Sequence, residues 1–107
     1  MIMKNYDVTI DEAFTEDNAA AVLIKIYNDY IEANIYLDKN LINVLMDFID
    51  KNTNKTEAGN SANSSVFWSR QDEVVYILIG EDDQSWDISL VADETLLKNI
   101  KSGIKAM

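Results

Sequence analysis

The sequence predicts an α+β domain, an antiparallel sheet of about six strands in a doubled βββα pattern with two helices packed on one face. Three observations carry that prediction. Residues 19–37, "AAAVLIKIYNDYIEANIYL", alternate apolar and polar side chains on both sides of an Asn-Asp dipeptide, the pattern of a hairpin. Two later stretches switch to helical periodicity, each behind an aspartate able to cap it, Asp38 and Asp93. The two halves also superpose in pattern at an offset of about 55 residues. At that offset Asp38, Leu41, Ile42, Leu45 and Ile49 fall on Asp93, Leu96, Leu97, Ile100 and Ile104.

Looking back by the same offset from residues 66–70 predicts a first strand near 6–14, with its turn at 15–18. A hairpin turning at Asn28 and Asp29 then sets Val22, Ile24 and Ile26 on one face with Ile31, Ala33 and Ile35. Its other face pairs Lys25 with Glu32 and Tyr27 with Tyr30. Behind Asp38, the positions Leu41, Val44, Leu45, Phe48 and Ile49 form the apolar stripe of a helix. Residues 52–64, "NTNKTEAGNSANS", are polar and aperiodic and read as a mobile loop. "SVFWSRQDEVVYILIG" reads as a second hairpin turning at Gln71 and Asp72, which sets Arg70 against Glu73 and Trp68 inward. "SWDISLVA" is a further strand with Trp86, Ile88, Leu90 and Ala92 on its core face. The last helix buries Leu96, Leu97, Ile100 and Ile104, carries Lys98, Lys101 and Lys105 toward its C-terminal end, and is expected to fray or stop at Gly103. The whole reads as a single domain, residues 1–107, with pseudo-repeat halves at about 5–51 and 65–105.

Composition narrows the function. The chain is 48% hydrophobic and 26% charged, which is globular rather than disordered. It contains no cysteine and no histidine. Thiolate chemistry, the usual metal ligands and the commonest general base are therefore missing, and an enzyme is not expected. No cofactor is expected either. No stretch reads as a membrane span or a signal peptide, so the expected location is the cytoplasm.

Nineteen acidic residues against nine basic ones give a net charge of −10. The acids gather in stretches without any base. One holds Asp7, Asp11, Glu12, Glu16 and Asp17; the other runs from Asp72 to Glu94 and includes Glu81, Asp82, Asp83 and Asp87. Such a field repels nucleic acid and anionic lipid and speeds encounter with basic proteins. The sheet face turned away from the helices is expected to carry Leu23, Tyr27, Tyr30, Tyr36, Phe67, Val74, Tyr76 and Leu78, with Glu32 and Asp87 among them. An aromatic patch rimmed by charge has the composition of an interface centre.

Catalytic and metal readings of the acids fail on local grounds. Counted from Asp83, Ser85, Asp87 and Glu94 take calcium-loop positions, but Ile88 occupies the place where the sharp turn needs glycine. The adjacent carboxylates Asp82 and Asp83 diverge from one another and cannot converge on one substrate bond. No glycine-rich phosphate loop is present.

In its "GEDDQSWD" loop, its "TIDEAFTED" segment, its net charge and its doubled strand pattern, the chain resembles bacterial immunity proteins that neutralise nuclease toxins, in particular those of contact-dependent growth inhibition. The doubled pattern is similar also to the whirly-type fold, whose members bind single-stranded nucleic acid, a function the charge contradicts. The immunity resemblance implies a cytoplasmic inhibitor that forms a 1:1 complex with a basic, nuclease toxin domain. Its expected contact residues are Glu81, Asp82, Asp83, Asp87, Tyr27, Tyr30, Glu32, Tyr76, Asp11, Glu12, Glu16 and Asp17. Two other readings fit the same surface: a nucleic-acid mimic that inhibits a restriction or CRISPR effector, and a secretion chaperone.

Overall fold

The computed structural model describes residues 5–107. One antiparallel sheet runs in simple meander order through β1 (Asp7–Phe14), β2 (Ala20–Tyr27), β3 (Glu32–Asp38), β4 (Lys55–Ser61), β5 (Ser64–Gln71), β6 (Val74–Asp82) and β7 (Ser85–Ala92). A turn of 3-10 helix, Lys39–Leu41, leads into α1 (Ile42–Ile49), and α2 (Glu94–Lys105) follows β7. The sheet curls into a half-barrel of seven strands, not the expected six. The pattern is βββα followed by ββββα, so the doubled repeat does not describe the fold.

The added strand is β4, and it comes from the segment expected to be a mobile loop. Its inward positions offer only Thr56, Ala58 and Ser61, too little apolar surface to show a period of two. Tertiary contacts supply what the pattern lacks. The indole Nε1 of buried Trp68 donates to the Ala58 carbonyl at 2.8 Å, and Ala62 and Asn63, with φ of 50° and 67°, make the two-residue hairpin turn into β5. Gly59 has φ +103°, and a Cβ there would lie 2.8 Å from Ile35 Cγ2. Glycine thus lets β4 close on β3, where Tyr36 pairs with Asn60.

Both expected hairpin registers are shifted by two residues. Lys25 pairs with Asn34 and Tyr27 with Glu32, because the first turn is longer: Asn28 Oδ1 accepts from the Tyr30 and Ile31 amides at 2.8 and 3.0 Å. In the second hairpin Gln71 pairs with Val74, and the turn residues are Asp72 and Glu73, both at positive φ. A shift of two preserves the face of every side chain, so the core survives the error in pairing.

That core fills the concave face. Val22, Ile24, Ile26, Ile35, Leu37, Trp68 and Ile77 from the strands meet Leu45, Phe48, Leu97 and Ile100 from the helices. Asp93 caps α2 by accepting from the Thr95 and Leu96 amides at 3.0 and 3.4 Å. Gly103 does not end this helix, which continues to Lys105. A side chain there would overlap Ile10 of β1 at 2.4 Å, so its absence lets α2 lie against the first strand. At the same end of the sheet Tyr6 packs on the core and hydrogen-bonds with the Val91 backbone, tying the start of β1 to β7. Burial pushes the Tyr6 phenol above its ordinary range, the Val91 bond acting in the opposite sense.

Candidate functional site

The β6–β7 hairpin does not continue flat to its acidic tip. Ile79 pairs with Ile88 but Gly80 pairs with Trp86, leaving Asp87 as an extra residue on β7. Asp82 pairs with Ser85, which leaves Glu81 as an extra residue on β6. Two bulges in succession bend and twist a strand pair sharply. The strands also approach more closely here than a side chain permits, since a Cβ on Gly80 would lie 2.4 Å from Trp86 Cα.

The bend carries the tip back over the outer, convex face of the sheet. Asp83 Oδ2 comes to 3.5 Å from Nζ of Lys55, which lies on β4, two strands away from β6. Under the tip is a cleft of about 620 Å³, with Phe67, Tyr76 and Leu78 at its floor and Trp86, Asp83 and Gln84 among its walls. Leu78 is only 9% exposed although it lies on the outer face. The Asp82 carboxylate accepts from the Gln84 amide at 2.8 Å and fixes the turn. Glu81, Asp82 and Asp87 have no ion-pair partner among the described residues.

Trp86 is therefore not a core residue. The bulge at Asp87 breaks the alternation that would have pointed it inward with Ile88, Leu90 and Ala92; it stands on the outer face 46% exposed, and Ile88 beside the bulge is itself 39% exposed. The sequence did contain a signal for this: an isolated glycine inside a strand pattern marks a bulge or a close backbone approach, and Gly80 is both.

The structure separates the other expected contact residues. Tyr76 joins Glu81, Asp82, Asp83 and Asp87 around the hairpin. Tyr27, Tyr30 and Glu32 flank the β2–β3 turn, where Tyr30 is 84% exposed. From β2 to β6 there are four strand spacings, or roughly 19 Å along the sheet. Tyr27 and Tyr30 thus do not converge with Tyr76 and Asp87 on one patch. Asp11 and Glu12 lie on the edge strand β1 opposite Leu23 and Val22, and Glu16 and Asp17 project from the β1–β2 turn.

Among the described residues no three carboxylates come close enough to hold a metal ion. No helix of the described chain is long and apolar enough to cross a membrane. The arrangement suits recognition of a cationic surface: an apolar centre that can be desolvated, with carboxylates at its rim. No protein-family model, curated protein or solved structure matches the chain.

Proposed function

We propose that this chain is a cytoplasmic immunity protein that binds and neutralises a basic, nuclease toxin domain in a 1:1 complex. The observation that carries the reading is the acidic β6–β7 tip folded over Phe67, Tyr76 and Leu78 with half-exposed Trp86 beside it. Tryptophan and tyrosine supply most of the affinity at protein interfaces when they occupy a centre shielded from water. Glu81, Asp82 and Asp87 add a carboxylate rim suited to the lysines and arginines with which nucleases grip phosphate. Steering by that rim speeds association, and the aromatic centre slows dissociation.

The test is coexpression with an inducible nuclease domain from the contact-dependent inhibition locus of the same genome. The chain should restore growth and copurify with that domain in equal amount. Both effects should be lost when Trp86→Ala is combined with Asp82→Lys and Asp83→Lys. Protection that survives the triple substitution would move the contact elsewhere, and absence of protection or complex with such a domain would refute the immunity reading.

A further inference from the structure

Another aromatic cleft lies away from the Trp86 hairpin and has no lining residue in common with the cleft there. It encloses about 520 Å³ where the β1–β2 and β4–β5 turns flank the end of β3. Phe14, Tyr36 and Leu41 give it apolar walls; among the described residues Glu16, Asp17 and Asp38 are its charged lining, with no lysine or arginine. Phe14 is 69% exposed and Tyr36 41%. We propose that this cleft docks an arginine side chain presented by a protein partner.

The chemistry of the walls selects that occupant. An anion would meet carboxylates with no base to offset them. A purely apolar side chain would drive the same carboxylates out of water without a partner, which is costly. Arginine meets both demands, its methylene stem lying on Phe14 and Leu41 while the guanidinium faces the Tyr36 ring and the carboxylates. Asp38 is free for this role, because its side chain makes no cap hydrogen bond to the 3-10 turn that follows it.

The walls are also set before any partner arrives. Thr15 and Ala19 close the β1–β2 turn through a backbone bond of 2.9 Å, and Thr15 Oγ1 accepts from the Ala19 amide at 3.1 Å. Across the cleft, Gly59 holds β4 against β3 beside Tyr36. The backbone of both walls therefore needs no reordering on binding.

Titration of the intact chain with acetyl-Leu-Arg-Leu-amide, followed by two-dimensional amide NMR, tests the proposal. Its control is the same peptide with citrulline in place of arginine, which keeps the shape and removes the charge. The arginine peptide should shift resonances of Phe14, Glu16, Asp17, Tyr36 and Asn60, and the citrulline peptide should bind more weakly. Phe14→Ala and Tyr36→Ala should each weaken the arginine peptide by about two- to fivefold, the scale of one cation–π or apolar contact at an exposed site. Glu16→Gln with Asp17→Asn, which touches no core residue, should reduce the preference for arginine, Asp38 and Tyr36 supplying what is left of it. Equal response to both peptides, or shifts confined to the Trp86 hairpin, would overturn the proposal. So would shifts of the same resonances with protein concentration alone, which would assign the cleft to a second copy of the chain.

Discussion

Arg70 on β5 and Glu94 in the first turn of α2 form a two-pronged ion pair, Nε to Oε2 at 2.8 Å and Nη2 to Oε1 at 3.0 Å. The same guanidinium donates to the Phe48 carbonyl at the end of α1 at 2.8 Å and to the Thr53 carbonyl at 3.3 Å, and its carbon lies 4.5 Å from the centre of the Phe48 ring. One side chain thereby joins the sheet, the C-terminus of α1 and the N-terminus of α2. Its planar fork is what permits this, since its three nitrogens reach four separate oxygens at once.

Arg70→Ala should therefore destabilise the fold by about 3–5 kcal/mol, because it leaves the largely buried Glu94 carboxylate and two carbonyls without their donor. Arg70→Lys should recover only a minor part, since an ammonium cannot serve all these acceptors at once. Urea unfolding of the three proteins checks this; a lysine variant as stable as the parent would refute the fork argument.

Trp68→Phe tests whether β4 belongs to the cooperative fold. The change keeps an aromatic ring but removes the donor to the carbonyl of Ala58, a residue only 1% exposed. A loss of about 1–3 kcal/mol is expected for that orphaned group together with the smaller ring. If residues 52–64 were a mobile loop, the Ala58 carbonyl would turn to water and only the loss of ring volume would register. Amide exchange at Ala58 and Ser61 distinguishes the two, being slow when β4 is part of the fold.

What was legible in the sequence was what depends on periodicity. The alternation of Val22, Ile24 and Ile26 and the spacing of Leu96, Leu97, Ile100 and Ile104 identify buried faces, and those residues are in the core. The β4 strand has no such period, because its stability resides in hydrogen bonds and in Trp68 from another strand, not in its own side chains. Register differs by two residues from the expected one in both hairpins for a related reason: turn length depends on local bonds such as those to Asn28 Oδ1, to which face alternation is blind. At the candidate site, alternation places Tyr76 on the outer face, where it lies, but sets Trp86 on the wrong one. Its position depends on two bulges, which insert residues that no period of two can anticipate.

Tyr6→Phe should flatten the alkaline limb of the stability profile. Burial raises the folded-state phenol above its unfolded value, so the neutral form is favoured by the fold. Its contribution is complete below the unfolded value of 10.0 and is lost as pH rises through the folded one, because the unfolded chain gives up that proton first. Thermal melts of parent and variant across that alkaline window should converge as pH rises. A constant difference would mean that folding leaves the titration of this phenol unshifted.

In the proposed complex, Asp82→Lys with Asp83→Lys should slow association with the toxin domain and weaken its salt dependence, while urea stability stays within about 1 kcal/mol. Trp86→Ala and Tyr76→Ala should act instead on dissociation, by about 1 kcal/mol or more if these rings lie in the dry centre. Tyr27→Ala serves as the contrast. A standard footprint of about 800 Å² per partner centred on Trp86 has a radius of roughly 16 Å, which falls short of Tyr27. Stopped-flow and surface-binding kinetics separate these effects. A Tyr27 loss equal to that at Trp86 would show that the footprint spans the sheet.

Gly80→Ala should disconnect the acidic tip from the sheet without destroying the sheet itself. The added methyl would lie 2.4 Å from Trp86 Cα, 2.7 Å from the Ser85 carbonyl oxygen and 3.0 Å from the Asp87 nitrogen. All three are backbone atoms, so no change of rotamer relieves the overlap and the two strands must separate at the bulge. Below it, Ile77 and Ile79 still face Leu90 and Ile88, and the buried members of that group hold the lower hairpin in place. The expected cost is about 1–3 kcal/mol, in the range of other overpacking changes. The tip, freed from its bend, should lose the Lys55–Asp83 contact and uncover Leu78. Acrylamide quenching reads this directly, because buried Trp68 is shielded from the quencher in both proteins and half-exposed Trp86 is not. Quenching should therefore rise in the variant, and affinity for the toxin domain should fall although every acidic side chain is still present. If stability, quenching and affinity all stay at parental values, the hairpin is not held by the bulge at Gly80, and the cleft beneath it is not a preformed site.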